Sequence, residues 1–135
     1  MFRPGWLCLL VFCSSAAAAG ASTWSQVAGE IVAHINSATS LYQEGRQKEA
    51  GQAVTRAYFG VFEDRKMEAA MRIELGAQHT YQVEQQFGAL RKAIRAQADP
   101  QTVRELAQDI EVSVTRDAGV LDQAKIPMEV FKVTP

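Results

Sequence analysis

The sequence predicts an all-α fold, an antiparallel four-helix bundle whose second helix is kinked or broken near Glu63–Lys66. Apolar residues recur at alternating steps of three and four along four segments, which is the spacing of one helix face. The connections between these segments are short, and short connections favour antiparallel neighbours. No stretch before the C-terminal tail has the alternation typical of a strand.

The first 21 residues predict a secretory signal peptide. Arg3 precedes an apolar run from Gly5 to Cys13, and a small-residue stretch ends at Ala21. A basic start, an apolar middle and a small-residue exit are its three parts, and the apolar run is short for a membrane span. We therefore expect an exported, periplasmic protein cleaved after Ala21, and the short run disfavours an uncleaved anchor.

Composition narrows the chemistry of the mature chain. Both cysteines, Cys8 and Cys13, lie in the leader, so thiolate metal sites, haem attachment and cysteine nucleophiles are excluded. The leader contains one basic residue, Arg3, and no acidic residue. The mature chain therefore has 13 basic and 15 acidic residues, which gives a net charge of −2. This charge balance does not favour binding to nucleic acid. We also expect no insertion into the membrane after cleavage. The sequence does not indicate the oligomeric state.

The first helix has a defined start and stop. Thr23 and Gln26 form a predicted capping box, and Gly45 marks the C-terminal end. The predicted inward stripe is Trp24, Val27, Ile31, His34, Ala38 and Leu41.

The second helix starts near Arg46 and changes its spacing at Glu63–Lys66. Asp64 at this interruption is a predicted N-cap for the helix that resumes. The inward residues are Ala50, Ala53, Val54, Ala57, Tyr58, Val61 and Phe62, followed by Met67, Ala70 and Met71.

Two further helices complete the predicted domain over residues 22–125. The third spans Ala77–Ala96, and the fourth starts at Asp99 as N-cap with Pro100 as first helical residue. Residues 126–135 are predicted to form an extended tail. The inward residues are Thr80, Val83, Phe87, Leu90 and Ile94 in the third helix, then Val103, Leu106, Ile110, Val114, Asp117 and Leu121.

Acidic residues at the helix interruption are the first candidate site. Glu63 and Glu68 flank a turn, a geometry that brings carboxylates together, and oxygen ligands suit hard cations. The alternative is a solvated turn in which Arg65 and Lys66 offset the acids, since charge runs usually face water.

Three further polar residues are secondary metal candidates. Glu30 and His34 stand four apart on one helix face, and Asp117 on the fourth helix is a candidate neighbour of His34. The alternative is a buried histidine hydrogen-bonded to its neighbour. No GxSxG, HExxH or phosphate-binding glycine loop occurs, so we expect no enzyme and no nucleotide site; a His34–Asp117 enzyme or sensor is the least favoured hypothesis.

A family resemblance covers about two-thirds of the mature chain, from Leu41 to Asp122. AYFGVFEDRKMEAAM, LGAQHTYQVEQQFGALRKAI and VTRDAGVLD resemble the exported N-terminal helical region of many bacterial iron permeases of the FTR1 family. The matching positions are Tyr58, Phe59, Phe62, Glu63 and Glu68, then Glu84 and Phe87, then Asp117, Ala118, Leu121 and Asp122.

The resemblance implies a free-standing exported domain that acts in iron uptake and cooperates with a membrane iron permease. It extends the candidate metal ligands to Glu63, Glu68 and Glu84, with iron as the expected ion. The chain lacks the REGLE sequences that carry iron in the permease itself; Arg104-Glu105-Leu106-Ala107-Gln108 has no second acid. The alternative function is a structural or protein-interaction bundle without a metal site.

Overall fold

The computed structural model describes residues 22–131, and these residues form an all-α fold with no strand. The predicted signal peptide over residues 1–21 and the last four residues of the predicted tail lie outside this range. The five α-helices are α1 (Trp24–Gln43), α2 (Gln47–Thr55), α3 (Met67–Glu74), α4 (Ala77–Arg95) and α5 (Pro100–Gln123). A π-helix over Arg56–Glu63 follows α2 directly, and a short 3-10 helix spans Met128–Phe131.

The predicted helix starts are confirmed for α1 and α5. The backbone amide of Gln26 donates to the Thr23 hydroxyl. The side-chain carbonyl of Gln26 accepts from the backbone amide of Thr23, which completes the capping box. Asp99 accepts from the Gln101 amide, with Pro100 next to it in the first turn. Gly45 follows α1 with a φ of +79°, a conformation that glycine adopts without steric cost.

The second predicted helix divides into three parts. The backbone has π-helical form over Arg56–Glu63, and a turn then leads to Lys66, which has a φ of +66° and is the N-cap of α3. Asp64 ends the π-helix and does not cap α3, so the N-cap prediction for Asp64 was wrong. The Lys66 side chain makes no capping hydrogen bond, so the interruption before α3 depends on its left-handed backbone.

Contacts between helices form a closed circuit around one core. α1 packs on α2 and α5, and α4 packs on α2, α3 and α5. Almost every predicted inward residue is buried, although Leu41, Tyr58 and Leu106 are only half-buried and His34 lies beside the stripe, which Ile35 completes. Burial of these side chains stabilises the fold by about 25 cal/mol for each Å² of apolar surface removed from water.

Asp122 joins the two ends of the domain. Its carboxylate accepts from the backbone amides of Trp24 and Ser25, at 2.9 and 3.0 Å, and from the Ser25 hydroxyl at 2.6 Å. The Trp24 indole donates to the Ile126 carbonyl at 2.7 Å. The start of α1 is therefore fixed to the end of α5.

The C-terminal tail differs from the predicted extended form where it is described, because Met128–Phe131 make a 3-10 turn. Between residues 22 and 131, no helix combines the length and the apolar character that crossing a bilayer requires.

Candidate functional site

Tyr58 lies where the π-helix meets α4. Its ring packs against Phe62, with centroids 5.8 Å apart, and against Phe87 at 5.3 Å. Phe62 and Phe87 are buried, whereas Tyr58 is only half-buried. The aromatic cluster therefore holds the Tyr58 ring while its hydroxyl faces a polar region.

Three carboxylates influence the ionisation of Tyr58. Burial, an interaction with the Glu63 carboxylate, and the negative charges of Glu63, Glu84 and Glu68 together raise the pKa of Tyr58 to about 12. Each of these effects disfavours the phenolate, because a second negative charge there would be poorly solvated and repelled. The three predicted metal ligands thus all act electrostatically on Tyr58.

Arg72 connects two of the three carboxylates. Its Nε donates to Glu68 at 2.7 Å, one turn earlier on α3, and its Nη2 donates to Glu84 on α4 at 2.9 Å. The Glu84 side chain is only 15% exposed, against 47% for Arg72. A guanidinium therefore occupies the position between Glu68 and Glu84 where the sequence predicts a metal cation.

Glu84 has an unusual electrostatic environment. Its pKa is raised because burial disfavours the charged form and the neighbouring Glu68 carboxylate adds repulsion, while Arg72 acts in the opposite direction. Glu84 also lines a cleft of about 210 Å³ together with Tyr58 and Arg91. Glu84 is thus a largely buried carboxylate with a raised pKa at an opening to solvent.

The predicted ligands do not form a three-ligand metal site in the conformation described. Within residues 22–131, no three His, Cys, Asp or Glu side chains are arranged to hold a metal ion. Glu68 and Glu84 meet through Arg72, and Glu63 lies on the Tyr58 side of the cluster.

The secondary candidates lie in other places. Glu30 is exposed and pairs with Arg65 at 2.9 Å, which connects α1 to the turn before α3. His34 is half-buried and forms no hydrogen bond or ion pair with the described residues, so the expected His34–Asp117 contact was wrong.

Asp117 is buried, as its place on the α5 stripe predicts, but its partners come from elsewhere. His79 Nε2 lies 2.8 Å from Asp117 Oδ2, and Arg116 Nε lies 3.1 Å from Oδ1. This group joins α4 to α5 and satisfies the one buried carboxylate of the described core.

Sequence reasoning missed Arg72 and His79 as partners of the predicted acids. Arg72 stands four residues after Glu68, and this spacing alone indicates an ion pair on one helix face. No comparable local signal connects His79 to Asp117, because that contact depends on how α4 packs against α5.

Comparisons of this chain with protein-family models, with curated proteins and with solved structures found no match.

Proposed function

We propose that this chain is an exported, periplasmic helical protein of iron uptake that holds iron through the carboxylates of Glu63, Glu68 and Glu84. In this proposal iron is cargo for a membrane iron permease, and the chain performs no reaction. The observation that supports it is the Arg72 bridge, which already holds Glu68 and Glu84 on one cationic group, while all three carboxylates raise the pKa of Tyr58.

The ligand chemistry fits iron. Carboxylate and phenol oxygens are hard donors, and ferric iron is a hard cation. A bound cation would reverse the electrostatics of the site, because its charge favours the ionised form of every acidic neighbour. Because the pKa of Tyr58 is about 12, metal binding to its phenol oxygen would release a proton.

Arg72 must leave for iron to enter. Its guanidinium already bonds Glu68 and Glu84, so metal and guanidinium compete for the same oxygens. Arg72 is half-exposed, and solvent screens an exposed ion pair, so its displacement is a small cost.

We also propose the arrangement that places this site. The helices form an antiparallel four-helix bundle, in which α2, the π-helix and α3 act as one arm that is broken at Glu63–Lys66. The break lets Glu63 and Glu68 lie on either side of a turn while both approach α4. The contact circuit among α1, α2, α4 and α5 supports this arrangement.

Calorimetric titration of the purified protein with ferric and ferrous iron, beside copper and manganese, tests the function. We expect one saturable iron site with proton release. The double variant Glu68→Gln with Glu84→Gln should lose at least about tenfold in affinity, which is about 1.4 kcal/mol. Glu74→Gln is the control, because Glu74 is an exposed acid on α3, the helix that carries Glu68.

The variant Arg72→Gln tests whether iron and the Arg72 guanidinium compete for the same carboxylates. If iron displaces the guanidinium, this variant should bind about fivefold more tightly, because the two Arg72 ion pairs no longer have to be broken. An unchanged or weaker iron affinity in Arg72→Gln contradicts the displacement step. Absence of saturable binding in both the wild type and Arg72→Gln contradicts the ligand assignment.

The second candidate function is a structural or protein-interaction bundle without a metal site. The bridge from Glu68 through Arg72 to Glu84 favours it, because an arginine between two acids already joins α3 to α4. Copurification of a membrane iron permease with the wild type and the acid variants alike, without iron binding, would support this candidate.

A further inference from the structure

A basic groove lies between α2 and α4, and it shares Arg91 with the cleft beside Tyr58 and Glu84. Its volume is about 780 Å³, within the range of roughly 300–1,000 Å³ typical of small-molecule sites. The lining residues of α2 all lie on one helix face, and those of α4 are separated by three and four positions. The cationic members, here called the groove cations, are Lys48, Arg56, Arg91 and Arg95.

The groove cations have no carboxylate partner. None of the four forms an ion pair with any residue described between 22 and 131, and no acidic residue lines the groove. By contrast, Arg46, Arg65, Arg72 and Arg116 each pair with a carboxylate. In an acidic chain, four unpaired cations along one groove concentrate positive potential there.

Gln47 caps two carbonyl oxygens at the edge of the groove. Carbonyl oxygens at a helix C-terminus carry partial negative charge and would repel an anion. The Gln47 side-chain amide donates to the carbonyls of Ile94 and Arg95, at 2.8 and 3.0 Å, at the end of α4. The carbonyl oxygens beside Arg95 are therefore already hydrogen-bonded.

Gly51 keeps the α2 wall open. A glycine inside a helix costs roughly 0.5–1 kcal/mol relative to alanine. A Cβ added at Gly51 would meet no atom within 4 Å, so packing does not require glycine there. The missing side chain instead leaves space in the groove between Lys48 and Thr55.

We infer that this groove binds a small multivalent oxyanion, a polycarboxylate or a phosphorylated small molecule. Guanidinium groups pair with both ligand types through two parallel hydrogen bonds. Three arginines on two facing helices can then contact separate anionic groups of one ligand. The groove contains none of the three proposed iron ligands, and its charge has the opposite sign.

Calorimetry in metal-free buffer at constant ionic strength, with citrate and orthophosphate as probes, tests this inference. We expect one saturable site for at least one probe, and at least a tenfold loss of affinity in the Arg56→Gln, Arg91→Gln double variant. Lys92→Gln is the control, since Lys92 is an exposed cation next to Arg91 that does not line the groove. An equal loss in Lys92→Gln would show general charge attraction and overturn the inference.

Gly51→Leu tests the groove without removing charge. Leucine favours the helix more than glycine does, so this variant should unfold at the same temperature or higher while its affinity for the probe falls at least fivefold. Unchanged affinity in a stable Gly51→Leu protein places the anion elsewhere and overturns the inference.

Vesicles distinguish a free anion from a lipid headgroup. Binding to phosphatidylglycerol vesicles but to neither soluble probe would overturn the small-molecule assignment. Because no metal is present, failure of any arm leaves the iron proposal unaffected.

Discussion

At the scale of single residues, Tyr58 combines a half-buried ring with a hydroxyl whose ionisation three acids disfavour. The pKa of about 12, against an ordinary 10.0, means that the native state keeps its proton where the unfolded chain loses it. A raised pKa contributes stability that is complete below pH 10 and disappears as the pH rises to about 12. Tyr58 therefore makes the fold sensitive to alkali.

We predict that Tyr58→Phe reduces this alkaline loss of stability. Between pH 10 and about 12, the free energy of unfolding should fall more steeply in the wild type than in the variant, because phenylalanine has no proton to lose. Urea unfolding at a series of pH values measures both slopes. Tyr81→Phe is the control, since Tyr81 is 57% exposed, and it should retain the wild-type slope.

Single-residue contacts were the least predictable part of the candidate site. The spacing of Glu68 and Arg72 is visible in the sequence because helix geometry fixes it. The position of Glu84 opposite them comes from packing between α3 and α4, and the meeting of His79 with Asp117 comes from packing between α4 and α5. Periodicity identifies an inward face without identifying the residue opposite each position.

At the scale of helices, the interruption after Glu63 depends on an unusual backbone. Lys66 has a φ of +66°, where a side chain costs roughly 1–2 kcal/mol relative to a right-handed conformation. Glycine adopts this conformation without that cost, although it loses more entropy on folding.

We predict that Lys66→Gly stabilises the protein by about 0.5–1 kcal/mol, because the relief of strain exceeds the added entropy loss. Chemical denaturation of the variant and the wild type measures the difference. Lys92→Gly is the opposite control, because Lys92 lies inside α4 and the change should cost about 1 kcal/mol there. Destabilisation by Lys66→Gly would mean that the lysine side chain contributes more than its backbone strain costs.

Helix positions were largely predictable because capping and periodicity are local. The Thr23 capping box, the Asp99-Pro100 start and the buried faces of α4 and α5 all followed from such signals. The π-helix did not, because a change from i→i+4 to i→i+5 hydrogen bonding leaves the residue types unchanged. The faltering spacing at Glu63–Lys66 located the interruption but not the residue that caps α3.

At the scale of the whole molecule, Asp122 fastens the start of α1 to the end of α5. Burial tends to raise the pKa of Asp122, but hydrogen bonds from the Ser25 hydroxyl and from the Trp24 and Ser25 amides lower it below its usual value. A lowered carboxylate pKa contributes stability that is present above the unfolded value of 3.8 and is lost as the pH falls through the folded value.

We predict that Asp122→Asn unfolds more easily than the wild type at neutral pH, by about 1–2 kcal/mol, since a charged acceptor at a helix N-terminus is lost. This difference should shrink below pH 4, where the wild-type carboxylate becomes protonated. Unfolding free energies from pH 2 to 7 test both parts. Asp109→Asn is the control, because Asp109 is an exposed residue of the same helix. A difference that stays constant with pH would contradict the assigned role of the charge.

The contact between the start of α1 and the end of α5 also contains a fluorescent probe, Trp24. After removal of the predicted leader, which contains Trp6, Trp24 is the only indole left in the chain. Its ring is 1% exposed, and its nitrogen is bonded to Ile126, 102 positions away in sequence. Fluorescence emission should therefore shift to longer wavelength when α1 and α5 separate. A shift that precedes global unfolding would reveal that this contact opens before the rest of the core unfolds.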